Sequence, residues 1–209
     1  GIDRRRALHG SETVILHAPL PPRGKVVSSG RVLGAWDKGD KGAIIEREIT
    51  LADALTGQPL VSLRRTAIAR SDGGFGGATE APGSPPTPDR EPDALISLPT
   101  RPEQALIYRL CGDRNPLHAD PDAARAAGFE RPILHGLCTL GICCRAAFLA
   151  FPDLAVESVA LVSARFSAPV TPGETVDIRF WRSAKSLDFE ACVTQRRADV
   201  IRSGRMEFH

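Results

Sequence analysis

One segment, L-C-T-L-G-I-C-C-R-A-A-F-L-A, runs from about His135 to Ala150 and is apolar nearly all round. A helix of that pattern is satisfied only by burial. The segments after it read as strands: S-V-A-L-V-S-A-R-F-S-A-P-V, T-V-D-I-R-F-W, F-E-A-C-V-T-Q and V-I-R-S-G-R-M-E-F. One buried helix followed by antiparallel strands implies an α+β unit whose sheet wraps the helix.

The first half lacks such a helix. V-I-L-H, K-V-V-S-S-G-R-V-L-G-A-W, G-A-I-I-E-R-E-I-T and L-V-S-L-R-R-T-A-I-A-R alternate apolar and polar residues and are rich in β-branched types. The turn formers P-L-P-P-R-G, D-K-G-D-K-G and T-G-Q-P separate them. A sheet needs cover for its apolar face, so this half must borrow it. Residues 71–92 are dense in Gly and Pro and predict a flexible connection. Their G-G-F-G-G does not match the G-x-G-x-x-G phosphate pattern. The expected organisation is a strand-rich partial unit over 1–70, a linker over 71–92 and a second unit over 93–209.

Composition narrows the function. Lys plus Arg number 27 and Asp plus Glu 25, a formal charge of +2, which gives no footprint for nucleic acid. The run Asp3 to Arg6 reads as a solvated segment. The five cysteines form no C-x-x-C pair, so neither a disulfide framework nor a zinc site is expected. No apolar run is long enough to span a membrane, and no peroxisomal address closes the chain. A cytoplasmic setting is expected, with a peroxisomal one for a eukaryotic source.

The densest chemistry lies in Y-R-L-C-G-D-R-N-P-L-H. A short helix, E-Q-A-L-I-Y-R-L, leads into it, and Asp120-Pro121 starts another that Gly128 ends. Gly112 lets the backbone turn and Pro116 forbids a helix through the motif. Asp113, Asn115 and His118 then project from a loop. An acid and a histidine can share a water, one accepting a proton while the other donates. Asn115 can hold the water or the histidine but cannot titrate. Downstream, R-P-I-L-H-G starts the apolar helix near His135 and Gly136. Its first N–H groups have no internal partner, and Gly136 lets a ligand oxygen approach. That suits an oxyanion site for a thioester carbonyl. Singly, each residue has a plainer role: Asp113 and Asn115 as turn residues, His118 as a bonded core histidine, His135 as packing at a helix start. Asp120 and Asp122 suit capping better than a metal, and Cys143 and Cys144 suit packing.

Y-R-L-C-G-D-R-N-P-L-H-A-D-P resembles the hydratase 2 motif of MaoC-like enoyl-CoA hydratases. The likeness continues through A-G-F-E-R-P-I-L-H-G-L-C-T-L-G and A-R-F-S-A-P-V-T-P-G-E-T. It is also visible at A-L-H-G-S-E, A-P-L-P-P-R-G-K, D-K-G and G-G-F-G-G. It implies the α+β hot-dog fold, two units in one chain, with the N-terminal unit incomplete because relatives carry a segment before the part matching Ala7 to Gly10. It implies reversible hydration of a trans-2-enoyl-CoA to a (3R)-3-hydroxyacyl-CoA. Asp113 and His118 would be the catalytic pair, Asn115 would orient them or the water, and Gly136, with His135, would bind substrate. No metal or redox cofactor is implied, since CoA arrives with the acyl-CoA thioester. A homodimer is expected, with a hetero-oligomer as the other arrangement. The competing reading is a non-catalytic, partner-dependent acyl-thioester-binding protein, motivated by the incomplete first half.

Overall fold

The computed structural model describes residues 7–81, 83 and 85–209. The Asp3–Arg6 run read as a solvated segment lies outside them. The chain divides into two compact units. One comprises Gly1–Pro85 with Val156–Arg165 and Arg205–His209; the other comprises Pro86–Ala155 and Phe166–Gly204. This differs from the expected 93–209 block, because two late pieces of chain belong to the first unit.

The reason is strand pairing. The first unit contains β1 (Ala7–Leu16), β2 (Val26–Asp37), β3 (Ala43–Asp53) and β4 (Pro59–Ala69). It also takes most of β6 (Val159–Phe166), which follows β5 (Ala94–Pro99) in the chain. Their order is β2-β3-β4-β1-β6, with the neighbours antiparallel. Register follows the alternation of the sequence. Ile49 faces Leu63, Leu63 faces Val14 and Val14 faces Val162, an apolar row across four strands. One residue along, Arg31 faces Glu48 and Glu48 faces Arg64, and both arginines pair with that carboxylate. Among the described residues this unit has no α-helix, only single 3₁₀ turns at Gly39–Lys41 and Val156–Ser158. Val26, Val27, Val32 and Leu33 of β2 stay exposed.

The expected flexible linker begins as ordered structure. Asp37 ends β2, and its carboxylate accepts the N–H groups of Gly39, Gly74 and Gly76 at 2.8, 2.7 and 2.6 Å. Its own N–H donates to the Ala78 carbonyl at 2.8 Å. The G-G-F-G-G stretch is thus wrapped on one buried acid. Composition alone could not show this, because bare glycine backbone suits both free chain and close wrapping.

In the second unit, β7 (Thr175–Arg182) and β8 (Ser186–Val193) lie with β5 and the larger part of β9 (Ala198–Phe208), whose end from Arg205 belongs to the first unit, in the order β9-β8-β7-β5. Helix α3 (Gly136–Ala150), which follows α1 (Gln104–Tyr108) and α2 (Pro121–Ala126), packs on β5, β7 and β8. Val176, Ile178 and Phe180 of β7 and Leu187, Phe189, Ala191 and Val193 of β8 are buried at every second position. Against them α3 sets small side chains, Cys138, Cys143, Ala146 and Ala147. One correction applies to α3: Gly141, Arg145 and Leu149, four residues apart, form an exposed stripe, so its burial is not all round. Strand β5 was not singled out in the sequence, although A-L-I-S-L alternates; its outer side leaves Leu95 exposed. No helix among the described residues is long and apolar enough to cross a membrane.

Candidate active site

The motif loop lies between α1 and α2. A 3₁₀ turn, Arg109–Cys111, ends at Gly112, whose φ of 111° is closed to most L residues. Asp113 then starts a polar turn, with its Oδ1 accepting the Asn115 N–H at 3.2 Å. Asn115 caps the next 3₁₀ turn, Pro116–His118: its Oδ1 accepts the Leu117 N–H at 3.1 Å, with Pro116 in first place. Asp120 caps α2 the same way, accepting from Asp122 at 2.8 Å. The plainer roles of Asp113 and Asn115 as turn residues are therefore filled, with Asp113 and Asn115 still exposed.

The turn delivers His118 to a buried position. Its Nδ1–H donates to the Ile133 carbonyl at 2.8 Å. A carbonyl only accepts, so this bond sets the tautomer and leaves Nε2 with a lone pair. Burial holds the His118 pKa below the ordinary histidine value, against the opposing pull of the Ile133 carbonyl and Asp113.

His135 is only 2% exposed and sits at the N-cap of α3 without capping it. Its Nε2–H instead donates to the Asp113 backbone carbonyl at 3.2 Å. Its ring stacks on His118, with centroids 3.7 Å apart and planes 26° apart, and lies 4.7 Å from the Tyr108 ring. Burial, then His118 and Arg109, hold its pKa below the ordinary value, while Asp113 pulls the other way.

Asp113, His118 and His135 each bring one ligand atom within 4.8 Å of the others. Two of the ring nitrogens already donate to backbone carbonyls, His118 Nδ1 to Ile133 and His135 Nε2 to Asp113. The set suits proton transfer better than coordination.

Gly136 opens α3, and the first helical bonds run from Cys138 and Thr139 to the His135 carbonyl. The N–H groups of Gly136 and Leu137 precede them at the positive end of the helix. A Cβ at Gly136 would lie 3.2 Å from the Phe166 ring, which stands over the helix start. The three cysteines of α3 are poor nucleophiles: burial pushes the Cys138 and Cys144 thiols up to about 11 and Cys143 well above its usual value.

All the sequence-predicted site residues lie in the second unit. Asp113, His118 and His135 are brought together, and Gly136 follows His135 directly. Sequence reasoning did not single out the Ile133 carbonyl, Tyr108 or Phe166. Tyr108, the one tyrosine of the chain, stood inside the quoted motif and was the available signal.

Two family models match the chain. The MaoC like domain matches residues 84–202, and the MFE-2 hydratase 2 N-terminal domain matches residues 1–71. Enoyl-CoA hydratase ChsH3 of Mycobacterium tuberculosis is 45% identical over 203 residues, covering 97% of this chain and 70% of that protein. The crystal structure of a MaoC-like dehydratase from Phytophthora capsici superposes with a TM-score of 0.88 at 34% identity, covering 99% of this chain and 73% of that one. A Mycobacterium tuberculosis protein described as having a double hotdog fold superposes at 0.63 with 14% identity, over 98% of this chain and 75% of that one, a likeness of fold alone.

Proposed function

This chain belongs to the MaoC-like family of enoyl-CoA hydratases and 3-hydroxyacyl-thioester dehydratases, and we propose that it adds water reversibly to a trans-2-enoyl-CoA through Asp113 and His118. One observation carries the residue assignment. The Asp113 carboxylate and a His118 ring nitrogen lie within 4.8 Å, while His118 is tied to the Ile133 carbonyl in the tautomer that leaves Nε2 an acceptor.

In the hydration direction, the pair holds one water. One member takes a proton as the water oxygen bonds to C3; the C2–C3 π electrons move toward the thioester, whose carbonyl becomes an enolate oxygen. The Gly136 N–H, at the positive end of α3, stabilises that oxygen. The proton taken from the water passes through the pair to C2, so both members end as they began, and the product is the 3-hydroxyacyl-CoA, of the (3R) hand that the hydratase 2 resemblance implies. The two groups are coupled, so the order of proton transfer belongs to the pair. Asn115 has its carbonyl oxygen on Leu117, and its amide N–H groups are the part offered to the water. Since charge moves only between carboxylate, imidazole, water and thioester, the reading calls for no metal or redox cofactor.

The test follows the loss of enoyl-thioester absorbance with crotonyl-CoA and a longer trans-2-enoyl-CoA. Wild type should hydrate at least one. Asp113→Asn and His118→Gln should each lose on the order of 10²–10⁴-fold in kcat. Near-normal turnover in either variant would remove that residue from the chemistry.

A further inference from the structure

His135 breaks a local rule. The N-cap of a fifteen-residue helix favours Ser, Thr, Asp or Asn, whose side chain closes a free N–H. An imidazole stands there instead and makes no cap. It is almost wholly buried, and its Nδ1 has no hydrogen-bond partner. A buried polar atom left without a partner calls for an explanation. Asparagine would cap the helix, and phenylalanine would bury no orphan nitrogen. Neither would do what the imidazole does. Its Nε2–H holds the backbone carbonyl of Asp113, and its ring covers the face of His118.

We propose that His135 is the positioning residue of the acid–base pair: a permanently neutral imidazole that holds both Asp113 and His118 in place. The proposal rests on the reading of those two residues given above. Neutrality follows from the surroundings. With Nε2–H committed to the Asp113 carbonyl, a second proton would sit on Nδ1, buried and with no acceptor. The groups facing His135 are His118 on the 3₁₀ turn, Asp113 and Arg109 in the loop, and Tyr108 at the end of α1. Arg109 and a protonated His118 both oppose a charge on it. The consequence for His118 is direct: a flat neutral ring excludes water from one face, so its neutral form is favoured. One side chain thereby links the oxyanion end of α3 to both proton-transfer groups.

Two variants separate this role from packing. His135→Phe keeps the stacked ring and removes the N–H; His135→Asn restores a cap and removes the ring. Ring-carbon NMR titration follows the histidines without requiring turnover. In wild type, His135 should stay neutral throughout the range in which an ordinary histidine titrates. In His135→Asn, the His118 midpoint should rise by about half a pH unit or more as water reaches the uncovered face. In His135→Phe, the unfolding midpoint should stay within a few degrees of wild type. Its kcat on crotonyl-CoA should fall on the order of 10-fold or more, with KM within about twofold. An unmoved His118 midpoint in His135→Asn, or an unchanged kcat in His135→Phe, overturns the proposal. Should the Asn variant fail to fold, the Phe variant decides alone. If the wild-type chain hydrates neither thioester, the hydratase reading fails, and the NMR midpoints still decide for or against His135.

Discussion

Single residues here serve two masters. Asn115 is a cap as well as a motif residue, and His118 is a core histidine whose remaining nitrogen is free for chemistry. Gly136 allows the cleanest separation of structure from function. His135 before it is already extended, with φ −62° and ψ 136°, as a residue preceding proline must be. Proline at the first helical position loses no helical hydrogen bond. Gly136→Pro should therefore keep α3, provided the Phe166 ring yields a few tenths of an ångström. What it removes is one N–H. The expected result is near-wild-type circular dichroism with kcat lower by about 10²–10³-fold; full activity would deny Gly136 its oxyanion role. The residue types were legible in G-D-R-N-P-L-H and P-I-L-H-G. The bond from His135 to the Asp113 carbonyl was not, because it joins backbone to side chain across two elements and leaves no spacing to read.

At the scale of elements, alternation and capping carried most of the information. Asp120-Pro121 and Gly128 bound α2 as expected, and β2, β3 and β4 lie where their patterns run, whereas β1 begins at Ala7, well before the V-I-L-H read for it. Strand β5 escaped notice because it is a short edge strand beside a Pro-rich stretch. The glycine-rich stretch after β4 was legible as turn-forming but not as ordered. Asp37→Ala tests its order. Three N–H groups, from Gly39, Gly74 and Gly76, would lose their common acceptor. The exposed Phe75 between the last two should then become a faster chymotrypsin site, and the Gly74 and Gly76 amides should exchange faster with solvent. Cleavage at Phe75 as slow as in wild type would show that Asp37 does not hold the segment.

The whole molecule carries its charges in a way that makes stability depend on pH. In the first unit, Glu12 is buried on the same side of β1 as Val14, with Arg65 Nε 2.6 Å and His9 Nε2 2.8 Å away. Burial pushes the Glu12 carboxyl up, but His9 and Arg65 more than offset it and hold it below its usual value of 4.5. In the second unit, burial holds His118 and His135 below 6.5. Every one of these folded-state values is depressed, so each group's stabilisation is present above its unfolded value and lost as pH falls. Unfolding midpoints should thus be level near neutrality, decline below about pH 6.5 as the unfolded chain takes up protons on histidines that stay neutral when folded, and decline again below about pH 4.5 as Glu12 is protonated. A His118→Asn, His135→Phe double variant should flatten the first decline and leave the second; an unchanged profile would refute the assignment. By itself the sequence determined most of the strands and the apolar helix through periodicity and capping, and its motifs carried the family resemblance that implies the hot-dog fold. Only the tertiary structure decided that β6 leaves its sequence neighbours to pair with β1, that a glycine run closes on Asp37, and that His135 lies flat on His118. Each of these is a contact between residues far apart in the chain, and no local pattern encodes which distant partner satisfies a strand edge, a carboxylate or the face of a ring.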